Sequence, residues 1–464
     1  MGFRWFSPVF APLLLLTGMA TSWAQEEIPE LTTLEILQLI EVNGDYAFAA
    51  ADADISIARA RLDEAKSALY PSLSLNTTGQ VYQSTQKNND NAEIYGALEV
   101  VQPIYDFGKR SSNIDAAGSN VEAAQQALIA ARNMVLLEGL SIFYNLHASE
   151  LQLRAYNEIH ASAYVHWDRA KEQLSLGRAS PIDISKALVL VEKTRLDFYR
   201  ERSRNNTYRI RLEELINQSL PGELISPPPP PAKAPHEADR EEFAKLVMQQ
   251  NPEMMVLVKQ AKARGLRRSV ITSLPSVEAF GNVRHSSRDV RGRNEYAVGA
   301  RMSWPIFDGG IKGAQRNRLA AEESRINARI EVKRRQLRLK AHSALMNRDD
   351  TFQRVISAKA GLDYAQKNLL RRQQLYSLER VAYLGRAMIE NSQAESELIR
   401  ATGAYRLELA GIALLLGDHP SKGLDDGYLV SIMGTKTAPT ENYMPKGGSG
   451  FGQDDQNKVN RNTE

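Results

Sequence analysis

The chain has 464 residues, of which 43% are hydrophobic, 24% charged and only 7% aromatic, with a formal net charge of +3 and no cysteine. Ala, Leu, Arg, Glu and Gln set the tone, which is the vocabulary of long helices. The lack of cysteine excludes disulfides, thiolate metal sites and thiol catalysis. The charge is unevenly spread: residues 261–340 hold 19 Lys or Arg against 7 Asp or Glu, an excess of +12. No nucleic-acid recognition module accompanies this stretch, so it reads as a solvated helix surface or a charged pore wall.

At the N-terminus, Arg4 supplies a positive charge, Val9 to Ala20 is mostly apolar around Leu13–Leu16, and Ser22-Trp23-Ala24 is a small-x-small cleavage site. The apolar run is about a dozen residues, short of the roughly 20 that a membrane-spanning helix needs. Residues 1–24 therefore read as a removed signal peptide. Beyond them no stretch is expected to cross a membrane as a helix, so any crossing falls to strands.

An Ala-rich helix is expected over about 31–68, ending near Tyr70-Pro71 because the residue before a proline resists the α region. A strand follows from Ser72 to Tyr82, with Leu73, Leu75, Thr77, Gly79 and Val81 on one face. After the polar Asn88-Asn89-Asp90-Asn91 comes a second strand from Ile94 to Gln102, with Ile94, Leu98 and Val100 on one face. From about Gly108 to Leu176 no proline interrupts a run of helix formers. The line Ala124, Leu128, Ala131, Val135, Gly139, Ile142, Leu146 marks a narrow coiled-coil-like seam along it. Pro221-Gly222 and the unbroken Pro227–Pro231 make 219–236 a stiff spacer. Strands are expected again at 276–284 and 295–303, and a long helix from Gly309 to Leu378. A second seam runs through Ala394, Leu398, Ala401, Tyr405, Leu409, Ile412 and Leu416. Residues 419–464 are rich in Gly, Asn and Asp and are expected to be disordered.

The chain repeats itself. Gln102-Pro103-Ile104-Tyr105-Asp106-Phe107-Gly108 returns 202 residues later as Trp304-Pro305-Ile306-Phe307-Asp308-Gly309-Gly310, and Leu174-Ser175-Leu176 meets Tyr376-Ser377-Leu378 at the same spacing. Tyr70-Pro71-Ser72-Leu73 matches Leu274-Pro275-Ser276-Val277 at 204, and Asn43 matches Asn251 at 208. The chain is thus a tandem duplication, 25–218 and 237–418, of helix, β-hairpin, long helix and helix. Some 65–70 helical residues make a rod on the order of 100 Å long, far more than a compact domain needs. Four strands cannot close a barrel, for which about eight are the minimum. Strands in a bilayer must close, because an open edge leaves backbone groups unsatisfied. A membrane reading therefore requires an oligomer whose strand number is a multiple of four. The other reading is a non-transporting coiled-coil scaffold carrying a small soluble sheet.

The Tyr-Pro-Ser-Leu lead, the two Pro-x-x-Asp turns with Pro103, Asp106, Gly108 and Pro305, Asp308, Gly310, and the duplicated layout resemble the TolC family of outer-membrane efflux proteins over about residues 30–418. The resemblance implies an α+β membrane protein: a homotrimer with a twelve-stranded barrel in outer-membrane lipid, continued by a long α-helical barrel across the periplasm. It also implies docking to a periplasmic adaptor and an inner-membrane ABC or proton-driven pump. The whole-chain pattern sits closer to the type I protein-secretion branch, with a large adhesin as candidate cargo, than to multidrug or small-molecule efflux.

The same resemblance places a closing gate at two helix–helix tips. In the first, Gly177 would make the tight turn and Asp183 a closing-bond partner; the alternative is that Asp183 caps the helix after Pro181. In the second, Tyr376 is a hydrogen-bond candidate, Glu379 stands where the family usually has glycine, and Arg380 or Arg386 would supply the cation. Gly385 and Met388 occupy positions where an aspartate constriction would be expected, so an aspartate ring is not supported there. The seven histidines suggest no metal site, since His160 and His166 do not share a helical face and His147, His285 and His342 stand apart. No phosphate-binding glycine loop or nucleophile elbow occurs, so no enzyme, cofactor or nucleic-acid partner is expected.

Overall fold

The computed structural model describes residues 32–82, 91–220, 238–287, 294–377, 384–425 and 427–433. The expected signal peptide and the Pro227–Pro231 run lie outside the described residues.

Both copies follow one order: a helix pair (α1, Thr33–Asn43, and α2, Asp45–Ser67; α5, Arg240–Gln250, and α6, Pro252–Ser269), a hairpin (β1, Ser72–Tyr82, and β2, Asn91–Tyr105; β3, Ser276–Ser286, and β4, Asn294–Ser303), a long helix (α3, Lys109–Ser175; α7, Ile311–Ser377) and a return helix (α4, Pro181–Ile216; α8, Leu384–Leu415). The long helices have 67 residues each and begin and end 202 residues apart. At 1.5 Å per residue each is about 100 Å long, as the uninterrupted sequence pattern predicts.

The single helix expected over 31–68 is instead two helices that meet at Gly44. Its N–H closes α1 on the Ile40 carbonyl at 2.9 Å, and a Cβ there would lie 3.2 Å from the Leu215 carbonyl of α4. A lone glycine in a helix-forming run gives little warning of such a break. The second copy breaks at the matching place with Asn251-Pro252: the Asn251 Oδ1 accepts from the Met254 N–H at 3.2 Å, and its Nδ2 donates to the Leu415 carbonyl at 3.1 Å.

The hairpins join into one antiparallel sheet of order β1-β2-β3-β4, with the copies meeting at β2–β3, where Leu98 pairs with Val283. β2 is longer than expected at both ends. Near the middle of the rods, the short helices pack against the long ones. One core joins Ile36, Leu37 and Ile40 of α1 to Leu136, Leu140, Phe143 and Leu146 of α3 and to Leu212 and Ile216 of α4. The other joins Phe243 and Val247 of α5 to Leu337 and Leu345 of α7 and Ile412 of α8.

The two seams follow this core. Gly139, Ile142 and Leu146 are buried, as are Ala401, Tyr405, Leu409, Ile412 and Leu416, while Ala124, Leu128, Ala131, Val135, Ala394 and Leu398 are half-buried. Two seam-side glycines set close approaches. A Cβ at Gly139 would collide with Ile40 of α1, and one at Gly403 would lie 2.8 Å from the Tyr144 Cβ.

Two expectations need correction. The middle of α3 holds an 18-residue stretch long and apolar enough to cross a membrane by length and composition alone, where none was expected. The apolar side chains Leu136, Leu140, Phe143 and Leu146 fill the helical core, which accounts for them without a bilayer. The C-terminal segment from 419, expected to be disordered, carries two short helices, α9 at Pro420–Gly423 and α10 at Tyr428–Met433. Tyr428 and Leu429 bury themselves in the second core, and the Tyr428 hydroxyl donates to Asp418 Oδ2 at 2.7 Å. Two well-placed apolar side chains outweigh the missing periodicity. Residues 434–464 lie outside the described residues.

Candidate functional site

The sheet has two chemically distinct faces, because successive side chains of a strand point to opposite sides. The register puts Leu73, Leu75 and Val81 of β1, Ile94, Leu98 and Val100 of β2, Val277 and Val283 of β3, and Tyr296, Val298 and Met302 of β4 on one face. Most of these side chains are exposed, Val298 to 93%. So wide an apolar surface, left uncovered by any element among the described residues, is suited to hydrocarbon. Among the described residues β1 and β4 pair on one side only, so the sheet is open at both edges.

The opposite face carries Ser74, Asn76 and Thr78, then Glu99, Glu278, Asn282, Arg284 and Arg301. Arg301 bridges two carboxylates, with Nη2 3.4 Å from Glu99 Oε1 and Nε 3.9 Å from Glu278 Oε2, and lies 5.1 Å over the Phe280 ring. Arg284 lies 4.0 Å over the Tyr95 ring. This charged face was missed in the sequence reading. The signal was present in the alternate positions of the strands, whose polar residues mirror the apolar set.

The two Pro-x-x-Asp turns stand immediately ahead of the long helices α3 and α7. In the first, the Asp106 Oδ2 accepts from the Arg110 N–H at 3.0 Å and from Arg110 Nε at 2.9 Å, while Arg110 Nη1 donates to the Pro103 carbonyl at 2.9 Å. In the second, Asp308 accepts from the Gly310 N–H at 3.0 Å and the Lys312 N–H at 3.2 Å. Each carboxylate thus satisfies amide donors that a helix start leaves unpaired. Gly108, Gly309 and Gly310 have φ of +81°, +65° and +87°. Phe107, the counterpart of Gly309, holds φ +57° as a non-glycine residue. Pro103 sits at a shift in the β2–β3 register, and Pro305 in the loop that follows β4.

At the first tip Gly177 has φ +69° and closes α3: its N–H reaches the Leu174 carbonyl at 2.9 Å, and the Arg178 N–H reaches Gln173 at 2.8 Å. This paired closure needs a left-handed residue, which glycine supplies. Of the two readings of Asp183, the cap is the one the single chain displays. Asp183 Oδ2 accepts from the Ser180 N–H at 3.0 Å and the Ser180 hydroxyl at 2.8 Å, and Ser180 Oγ accepts from the Asp183 N–H at 3.3 Å. These Ser180 donors hold the Asp183 carboxyl below its ordinary range. Among the described residues Asp183 forms no ion pair. At the second tip Tyr376 lies in the last turn of α7, while Glu379 and Arg380 lie outside the described residues. Arg386 pairs along its own helix, its Nε 3.1 Å from Glu390 Oε1.

No group of His, Asp or Glu among the described residues is arranged to hold a metal ion. His160 bonds Thr194 at 3.2 Å. His147 is buried in α3 with neither ring nitrogen hydrogen-bonded, and burial, then the nearby Arg154, lowers its pKa to about 4.

With this geometry in view, the known proteins are informative. Residues 42–218 match the family model described as outer membrane efflux protein. No curated protein matches the chain. Among solved structures, the Campylobacter jejuni CmeC outer membrane channel superposes with a TM-score of 0.70 at 15% identity, covering 92% of this chain and 98% of its own. CusC, described as undergoing conformational changes on folding and transmembrane channel formation, gives 0.64 at 18% identity, covering 84% and 93%. The outer membrane protein VceC from Vibrio cholerae gives 0.63 at 15%, covering 83% and 96%. The first copy thus matches the outer membrane efflux protein model, and the whole chain shares the fold of these outer membrane channels.

Proposed function

We propose that the chain is one protomer of a homotrimeric exit duct in the bacterial outer membrane. It takes substrate from a periplasmic adaptor and an ABC or proton-driven inner-membrane pump and releases it outside; it is a conduit, not an enzyme. The observation that carries this reading is an open four-stranded sheet with one uncovered apolar face, standing on two helices of 67 residues. Three copies would supply twelve strands and close the edges that β1 and β4 leave open. The polar face would then line the lumen. A soluble scaffold would leave that apolar face in water. The test is fractionation of cells expressing the full chain: a duct gives heat-modifiable trimers in the outer membrane, and soluble monomer would overturn it.

For cargo, we propose type I secretion of a large surface protein, a reading that rests on the resemblance of the whole chain to that branch. Small-molecule efflux is the second reading, favoured by the efflux description of the matched family model. Deleting the gene separates them: loss of one large surface protein supports secretion, and drug sensitivity alone supports efflux. The gate belongs to the same proposal, with Gly177 and Asp183 on one tip and Tyr376, Glu379 and Arg380 or Arg386 on the other. The Asp183 cap uses Oδ2, and Oδ1 has no hydrogen bond among the described residues, leaving it for an arginine across the tip. Such exposed pairs are individually weak, which suits a closure that a docking adaptor must release. Asp183→Ala and Arg380→Ala should each raise single-channel conductance; unchanged conductance in both would remove the gate assignment.

A further inference from the structure

The basic stretch at 261–340 finds a specific use where the strands give way to the helices. A cleft of about 400 Å³ opens there among the start of α3, the end of α6 and the first turns of α7. Six cations line it, Lys109, Arg264, Arg267, Lys312, Arg318 and Arg325, against one carboxylate, Glu322. Glu322 is already engaged, 3.4 Å from Arg264. Among the described residues no carboxylate lies within ion-pair distance of Lys109, Arg267, Lys312, Arg318 or Arg325. Burial, and next the charges of Arg264 and Arg61, pull the half-buried Arg267 guanidinium below its ordinary pKa. Convergent cations without counter-charge destabilise one another, and a multivalent oxyanion relieves that. Guanidinium groups present paired donors that match phosphate oxygens.

The level of the cleft points to a source. Lys109 is four residues beyond Tyr105, the last residue of β2, and Thr272 is four residues before Ser276, the first residue of β3. Tyr105 and Phe107, just ahead of α3, and Trp304 and Phe307, just ahead of α7, are all exposed. An aromatic belt followed at once by cations is the order met on leaving hydrocarbon for a headgroup layer. We propose that the cleft binds a phosphate group, and that the phosphate is that of a phospholipid headgroup in the leaflet at this level. The inference rests on the sheet being membrane-embedded.

The test uses the assembled full-length protein in nanodiscs containing phosphatidylglycerol or only phosphatidylcholine, with retained lipid counted by native mass spectrometry. Phosphatidylglycerol should be retained preferentially. Each of Arg267→Gln, Arg318→Gln and Arg325→Gln should weaken retention about fivefold. Arg318 and Arg325 are exposed, so their variants keep the test valid if Arg267→Gln misfolds. Equal retention in wild type and variants overturns the site. If inorganic phosphate binds with the same dependence on these arginines and no headgroup preference exists, the phosphate chemistry stands and the lipid source is overturned. Failure of the duct reading would appear separately, as absence of heat-modifiable oligomer in the same membrane extract.

Discussion

Helices α3 and α7 have equal length and sit 202 residues apart, yet they fill matching core positions with different chemistry. Phe143 and its counterpart Leu345 are both buried apolar side chains, at 1% and 2% exposure. Leu140 corresponds to His342, whose imidazole Nε2 lies 3.5 Å from Glu241. Leu146, fully buried, corresponds to Arg348, itself only 2% exposed. The Arg348 Nε and Nη2 donate to Asp349 Oδ1 at 2.8 and 2.6 Å, while Nη1 has no hydrogen-bond partner. The two copies share the length of the rod, and at His342 and Arg348 the second copy sets a basic side chain beside a carboxylate where the first has leucine.

The largest effect expected from breaking that comparison comes from exchanging the Leu146 and Arg348 pair. Leu146→Arg places a guanidinium in the first core beside His147 rather than an aspartate, and should cost more than about 4 kcal/mol. Folded protein should fail to accumulate. The reverse change, Arg348→Leu, removes an incompletely bonded buried charge and should be neutral or stabilising by about 1–4 kcal/mol. Thermal melting followed by circular dichroism reads both. Equal destabilisation in the two variants would mean that Arg348 is as integral to its core as Leu146 is to its own. Truncation at the position that stayed apolar in both copies gives the reference: Phe143→Ala and Leu345→Ala should lose about 3–5 and about 2–5 kcal/mol.

His147 provides a second contrast, since its counterpart is Asp349. Its folded pKa of about 4 lies below the unfolded value near 6.5, so the unfolded chain binds more protons between them. The stability that neutral His147 permits is complete above pH 6.5 and is lost as pH falls toward 4. At pH 5 the loss is about 2 kcal/mol. His147→Phe should flatten the melting temperature between pH 7 and pH 5. An unchanged acid slope would show that other groups dominate the slope.

The long helices, both strand pairs and the duplication were legible because each rests on a pattern many residues long. A proline-free run of 67 residues or an alternation through eleven carries its own redundancy. What escaped rests on single contacts. The break at Gly44 depends on how closely α4 passes, and the order of 420–433 depends on Tyr428 finding Asp418 across a turn. The polar face of the sheet was written in the same strands as the apolar one, but the ion pairs of Arg301 need the β2–β3–β4 register to bring Glu99 and Glu278 within reach. The Ser180–Asp183 box was only half read, because the serine was passed over in favour of the carboxylate beside it.

That box carries the smallest of the expected effects, and it separates the two tips. In the first copy Ser180 and Asp183 exchange bonds at the start of α4. In the first turn of α8 the third residue is Arg386 where α4 has Asp183. A cation in the first turn opposes the helix dipole. The first tip should therefore be the firmer one, and its firmness should reside in Ser180. Ser180→Ala removes an acceptor for the Asp183 N–H and a donor to its carboxylate, at a cost of about 1 kcal/mol. Hydrogen exchange at the first turn of α4 should accelerate about fivefold, while α8 and the buried middle of α3 keep their rates. Because Asp183 is held below its ordinary pKa, the cap's contribution is present above the unfolded carboxylate value and fades as pH falls through the folded one. The wild-type and Ser180→Ala exchange rates should therefore converge in acid. Rates that differ equally at neutral and acidic pH would mean that Ser180 stabilises the tip through something other than its bond to Asp183.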